Sequence, residues 1–408
     1  MITNDAVIFG ILFSILGLVF FTYNSKLSFW KKFYTLFPVI LVCYFLPSFF
    51  NSTGIINSEN SNLYYVASRY LLPCSLVLLT LSVDIREILK LGPKALIMFF
   101  TGTLGILLGG PFSLFVIKFF FPEILNIEIK ELANGMTTIA GSWIGGGANQ
   151  AAMMEVFNVD SNLFSKMVAV DIICANVLLA ILLIGVNKSK LIDKKLNADS
   201  SSIEDIKDRI ENYNRSIMKI PDLKDLIFIL SIGFGVTGFS HLIGDFLSSF
   251  ISNNYPFLEK YSLSSNFFWL VIISTSLGVL LSFTKLRKLE GSGSSKIGGL
   301  FIYVLVLTIG LKMDLFAIFQ NPGLFLLGFI WIGFHFTLLI VVAKIIKAPF
   351  FFIAVGSQAN VGGAASAPIV ASAFHPSLAA VGVLLAVLGY AVGTYAAYIC
   401  GIIMQSMI

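Results

Sequence analysis

Twelve apolar runs follow one another along this chain, at 6–23, 33–50, 63–83, 94–121, 134–157, 163–186, 226–251, 267–283, 297–311, 323–343, 350–373 and 376–404. A bilayer core about 30 Å thick is crossed by a helix of ~20 apolar residues. Inside lipid, each backbone N–H and C=O must be satisfied within the protein, so such runs fold as helices. Only 12% of the 408 residues are charged, against about 25% in soluble domains. A soluble fold of this size would lack polar surface. The sequence therefore predicts an all-α polytopic membrane protein. The run from Ala6 to Tyr23 has no basic stretch before it and no small-residue cleavage site after it, so it reads as a retained helix. Cys43, Cys74, Cys174 and Cys400 are scattered through apolar runs without C-x-x-C spacing and read as packing residues. The net charge of +5 suits lysine-bearing loops and forms no patch for nucleic acid.

Loop charge sets the expected topology, because Lys and Arg in short loops mark the cytoplasmic side. Loops 24–32, 84–94 and 284–296 are basic, and so is the long segment 187–225. Loops 51–62, 122–133 and 252–266 are poor in Lys and Arg. If every run crossed once, 187–225 would fall outside, against its charge. The conflict disappears if 134–157 enters from outside and returns there, and if 350–373 does the same from inside. Ten crossing helices and two re-entrant hairpins result, with both termini extracytoplasmic. The competing topology lets 134–157 and 350–373 cross fully. Within 187–225, the spacing of Ile203, Ile206 and Ile210 among charges fits either a solvated connector or a short amphipathic helix on the membrane surface.

The two re-entrant candidates carry the chemistry. Residues 141–152 read GSWIGGGANQAA, and residues 356–367 read GSQANVGGAASA. Glycine weakens a helix by roughly 1 kcal/mol relative to alanine. Broken backbone at membrane depth survives only when buried in protein or lining a wet cavity. A broken helix end offers N–H donors to anions and carbonyl oxygens to cations. Candidate solute-binding residues are Ser142, Trp143, Gly145, Gly146, Gly147, Asn149 and Gln150 in the first stretch. Ser357, Gln358, Asn360, Gly362 and Gly363 are their counterparts in the second. The bland alternative is that the glycines only permit close helix packing. The stretches sit at matching places in two halves. Leu78 to Asp84 resembles Val306 to Gly310 with Asp314 after a two-residue insertion. Gly92-Pro93 falls where Asn321-Pro322 falls, and Asp160-Ser161 near His375-Pro376-Ser377. Five crossings per half is odd, so the halves are expected to be inverted repeats, the plan of many secondary transporters.

Neither stretch contains Asp, Glu, Lys or Arg. That favours a small organic solute over direct cation exchange. The notable intramembrane charge is Asp171, which costs about 2.5–3.5 kcal/mol at mid-bilayer and is a functional candidate for that reason. With Asn176 it is expected to bind or couple Na⁺ or H⁺; the alternative is a structural carboxylate capping hairpin N–H groups. Lys118, Arg69, His241, Asp245 and His335 read as interface or packing residues. No catalytic motif, nucleophile–base pair or metal-ligand cluster is present, so no enzyme and no bound cofactor are expected.

GSWIGGGANQAA, followed by Ala169-Val170-Asp171 and Asn176, resembles the YjcL-like family of uncharacterised bacterial membrane proteins across nearly the whole chain. That family is similar to the glutamate–sodium and 2-hydroxycarboxylate symporters, within the cation/proton antiporter and anion transporter grouping. The resemblance implies a core that moves as an elevator against a dimeric scaffold, hence a homodimer in the bacterial cytoplasmic membrane. Residues 1–83 and 226–311 are the expected scaffold, 84–187 and 312–408 the expected core with the hairpins, and 188–225 the cytoplasmic linker. The expected function is ion-coupled, Na⁺-coupled in the first instance, symport of a small organic anion or amino-acid-like solute. The alternatives are a cation/proton antiporter using Asp171, or a channel.

Overall fold

The computed structural model describes residues 2–37, 39–56, 61–121, 127–198, 220–261, 263–312, 321, 323–375 and 378–408. The segment around Ile203, Ile206 and Ile210, and the repeat positions Asp314, Pro322, Pro376 and Ser377, lie outside the described residues. The described chain is helical: α1 (Asp5–Tyr23), α2 (Ser28–Leu36), α3 (Val39–Ser52), α4 (Leu63–Leu81), α5 (Ile85–Lys90), α6 (Pro93–Phe120), α7 (Ile129–Val156), α8 (Ser161–Asn187) and α9 (Ser189–Leu196). The second half runs α10 (Leu223–Asn254), α11 (Asn266–Ser282), α12 (Ser294–Gly310), α13 (Gly323–Ile346), α14 (Phe350–Val361), α15 (Gly363–Phe374) and α16 (Ala379–Ser406).

Seven helices are long and apolar enough to cross a bilayer, namely α1, α4, α6, α8, α10, α13 and most of α16. An eighth span arises if α11 is joined through a 97° bend to the 3₁₀ turn Lys285–Ser292. The protein is therefore a multi-pass membrane protein. The expected run 33–50 divides instead into α2 and the 14-residue α3. Its aromatic residues are shared between a basic surface helix and a partly buried one. One turn of α4, Ala67–Leu71, is π-helical. Such bulges insert one extra residue and occur often at functional sites.

Two segments fold back on themselves. In α7 the backbone breaks at Gly146, with φ 74° and ψ −172°. Two limbs result, and Asn134 at the base of the first donates to the Phe157 carbonyl at 3.2 Å although 23 residues separate them. A straight helix would hold them ~35 Å apart. Near the tip, a Cβ on Gly141 would lie 2.6 Å from the Asn149 carbonyl oxygen, so glycine is what lets the limbs touch. The second hairpin is α14 and α15, broken at Gly362–Gly363, where Gly363 has φ 56°. Its base is closed by Phe374, whose ring lies 6.2 Å from Phe350 and 5.2 Å from Phe351.

The hairpins enter from opposite ends of the bundle, as the loop contacts show. At one end Asn62 binds Asp5, Arg69 pairs with Glu155, Gln405 binds Asn134, and Lys118 reaches the Met407 carbonyl. The base of the first hairpin belongs to this end. At the other end Arg287 pairs with Asp84 at 2.8 Å, and the Phe350 N–H donates to Asp193 at 2.7 Å. The base of the second hairpin belongs there. Packing also sorts the helices. α1, α3, α4, α10, α11 and α12 pack mainly on one another, while α6, α8, α13, α16 and the two hairpins form a second group. The groups meet chiefly where α4 and α11 face α16 and the first hairpin.

Candidate functional site

The first hairpin is held by one carboxylate. Asp171, buried on α8, accepts from Ser142 Oγ at 2.6 Å, Trp143 Nε1 at 2.7 Å and Gln150 Nε2 at 3.0 Å. Two donors come from the incoming limb and one from the returning limb, so Asp171 ties the limbs together. Hydrogen bonds to a charged acceptor are worth about 1.5–3 kcal/mol each, which offsets the cost of burying the carboxylate. Sequence reasoning, in its structural alternative, expected Asp171 to cap backbone N–H groups; its observed donors are side chains. No Lys or Arg pairs with Asp171 among the described residues. Asn176 is not drawn in, since its amide donates to the Ile172 carbonyl of its own helix at 2.9 Å.

Asn149 joins the returning limb to α16. Its Nδ2 donates to the Gly145 carbonyl at 2.8 Å, and its Oδ1 accepts from the Thr394 hydroxyl. The close approach depends on Gly145 and Gly393, where an added Cβ on Gly393 would lie 2.4 Å from the Gly145 Cα. Trp143 packs edge-on against Trp331 of α13, centroids 5.2 Å apart, and Trp331 Nε1 donates to the Ile106 carbonyl at 2.8 Å.

The second hairpin is pinned differently. Asn360 donates to the Phe99 and Gly356 carbonyls at 3.0 and 2.9 Å and accepts from Thr103 at 2.8 Å. Ser357 Oγ lies 2.9 Å from His335 Nε2, and His335 Nδ1 lies 3.0 Å from the Gly102 carbonyl. A carbonyl only accepts, so Nδ1 is the donor there and the neutral ring accepts from Ser357. Gln358 Oε1 accepts from Ser366 Oγ at 2.5 Å. Its Nε2 is buried without a hydrogen-bond partner.

The two tips meet the same helix. A Cβ on Gly389 of α16 would lie 2.6 Å from the Ile144 carbonyl oxygen of the first tip and 3.5 Å from the Ala359 carbonyl oxygen of the second. Tyr390 borders Gly146. The structure thus brings the sequence-nominated residues of the two hairpins into one neighbourhood, with Ser142, Gly146, Gly147 and Gly362 partly accessible and the rest buried.

Sequence reasoning did not nominate Thr103 and Thr394, which brace the tips together with His335, and it read His335 and Arg69 as interface or packing residues. Arg69 Nη2 pairs with Glu155 of the first hairpin at 2.9 Å, and the Tyr64 hydroxyl donates to the same carboxylate. The guanidinium also lies 4.3 Å from the Phe267 ring centre, and Lys312 Nζ lies 4.2 Å from that of Tyr64. Burial lowers the Lys312 pKa, with Glu155 opposing that shift. A lone His or Arg in an apolar run was the available signal, since ionisable residues at membrane depth mark function by default.

The family described as "Protein of unknown function (DUF819)" matches residues 10–407. The chain belongs to the DUF819 family. A relative, "Uncharacterized membrane protein YjcL" of Bacillus subtilis (strain 168), is 28% identical over 363 residues, covering 85% of this chain and 84% of the relative. Membership and this relative support a family of membrane proteins of unknown function, in keeping with the multi-pass helical architecture.

Proposed function

We propose that this DUF819 protein is a secondary active transporter, an ion-coupled symporter of a small organic anion or amino-acid-like solute. The observation that carries the reading is the pair of glycine-broken hairpins, entering from opposite ends and meeting on α16. Broken helices meeting inside a bundle expose polar backbone ends where solute and ion can be held. Both halves follow one order: three helices, then a fourth, a hairpin and a fifth (α1, α3, α4, α6, α7, α8; and α10, α11, α12, α13, α14–α15, α16). That order, with opposite hairpin entry, supports an inverted repeat and kinship with the glutamate–sodium and 2-hydroxycarboxylate symporters.

The helix group holding both hairpins is the proposed moving core, and the other group the scaffold of an elevator. The scaffold helix α10 leaves most of its apolar length uncovered, which fits lipid contact and a homodimer through the scaffold. Na⁺ is the proposed coupling ion, with H⁺ as its alternative. For Asp171 to take part, the ion takes its remaining acceptor position or displaces Ser142, the partly accessible donor. The same three donors weigh against a cation/proton antiporter that relies on Asp171 alone. No resident cofactor and no catalytic group enter this reading.

Proteoliposome uptake of radiolabelled carboxylates and amino acids, with and without Na⁺ and pH gradients, tests it. Gradient-driven accumulation is the expected result. Equilibration insensitive to both gradients overturns ion coupling.

A further inference from the structure

The hairpins differ in which polar groups they leave unmet. In the first, Ser142, Trp143 and Gln150 all donate to Asp171, and Asn149 is bonded through both amide atoms. In the second, Ser357 and Asn360 are bonded to His335, Thr103 and backbone carbonyls. Among the polar side chains that the sequence nominates in the hairpins, Gln358 Nε2 is the buried one without a partner. Gln358 is 1% exposed, and an unmet buried amide donor costs about 1–3 kcal/mol. A protein keeps such a group where something else satisfies it.

Its position says what that partner is. The Gln358 amide lies over the break at Gly362: a Cβ there would sit 2.3 Å from Gln358 Oε1 and 1.6 Å from Ser366 Oγ. The break is the N-terminus of the 12-residue α15, whose N-cap residue Gly362 supplies no capping side chain. The first turn of α15 therefore presents uncapped backbone N–H groups and the positive end of the helix dipole. Ser366 donates to Oε1, which leaves the Nε2 hydrogens of the same amide as the unmet donors beside the break. Every group offered here is a donor, and no Lys or Arg supplies a full charge in 356–367. Gly362 and Ser366 retain partial access to solvent. Gly362 makes room for the Gln358 and Ser366 side chains, while a Cβ on Gly363 would meet nothing within 4 Å, so the first residue of α15 is the open one.

We infer that the tip of the second hairpin is a carboxylate subsite, in which Gln358 Nε2 and the first-turn N–H groups of α15 hold one carboxylate of the transported solute. This rests on the transporter reading and names the end of the solute that the protein recognises. It assigns the two hairpins separate tasks. The first is tied shut by Asp171, and the second holds the anion.

The test uses purified full-length protein in detergent at constant Na⁺ with sodium acetate, succinate and glutamate as probes, and acetamide as the uncharged counterpart. Thermal unfolding and calorimetry read binding. At least one carboxylate should raise the Tm and acetamide should not. Gln358→Leu should weaken the Kd by at least about tenfold, with a ligand-free Tm near that of the wild type, since removal of the unmet amide offsets loss of the Ser366 bond. Gln358→Glu keeps the shape and places an anion in the subsite, and it should abolish binding. Ser366→Ala should weaken binding less. No shift with any carboxylate, wild-type binding by Gln358→Leu, or a loss of binding in Ser366→Ala as large as in Gln358→Leu (the mark of an amide serving only to hold the hairpin) overturns the inference. Gradient-driven uptake of the same probes separates the two claims. Binding without driven uptake sinks the transporter and spares the subsite, while driven uptake unchanged in Gln358→Leu does the reverse.

Discussion

A carboxylate has about four acceptor positions, and Asp171 gives three of them to Ser142, Trp143 and Gln150. Asp171→Asn turns one oxygen into a donor facing donors. It should cost on the order of 2–4 kcal/mol of stability, read as a lower Tm in detergent. A variant with wild-type Tm and no Na⁺ dependence of uptake would make Asp171 a coupling group and not a brace. Ser357→Ala removes a single bond to His335 and should cost about 1 kcal/mol. At this scale the residue types were legible in the sequence, but their partners were not. Asp171 stands out as an acid in an apolar run. His335 is equally isolated, yet its partner Ser357 lies 22 residues away, across a chain reversal that no local spacing reports. Gln358 reads in the sequence as one amide among several, and only its surroundings leave Nε2 without a partner.

The hairpins depend on single glycines. Gly146 has φ 74° and ψ −172°, a region open essentially to glycine alone, with a cost of about 1–3 kcal/mol for other residues. Gly146→Ala should lower the Tm by an amount in that range and should reduce uptake more than it reduces expression, measured in parallel. Both hairpins were legible as elements, because clustered glycine and amides inside apolar runs conflict with an unbroken span, and the loop charges needed a reversal there. The turn residue itself was not singled out, since Gly145, Gly146 and Gly147 are alike in sequence and differ only in what surrounds them. The division of 33–50 into α2 and α3 was also hidden. Phe29, Trp30, Phe33 and Tyr34 pack edge-on or tilted against one another beside Lys31 and Lys32, and an aromatic–basic stretch reads equally well as the start of a span.

For the molecule as a whole, the contacts that sort loops into two ends agree with the loop charges, and labelling can check the sidedness. In a background without the four native cysteines, Glu131→Cys and Asn162→Cys should react with an impermeant maleimide from one side of the membrane. Lys347→Cys and His375→Cys should react from the other. Labelling of residues 131 and 162 from opposite sides would mean that α7 crosses. Thr275 and Thr394 face each other across the two helix groups, oxygens 3.3 Å apart. A reducible link between Thr275→Cys and Thr394→Cys should stop uptake and release it on reduction if the groups slide past one another; uptake undiminished by the link would remove the elevator. The overall plan was readable because lipid imposes it through run length and loop charge. The docking of one group on the other was not, since α4 and α16 meet it through residues far apart in the chain. Gly389 has one further consequence. Both tips lean on that single backbone position, like two doors closing on a shared post. Anything that shifts α16 at this residue shifts what both tips rest on, so the two hairpins share one support.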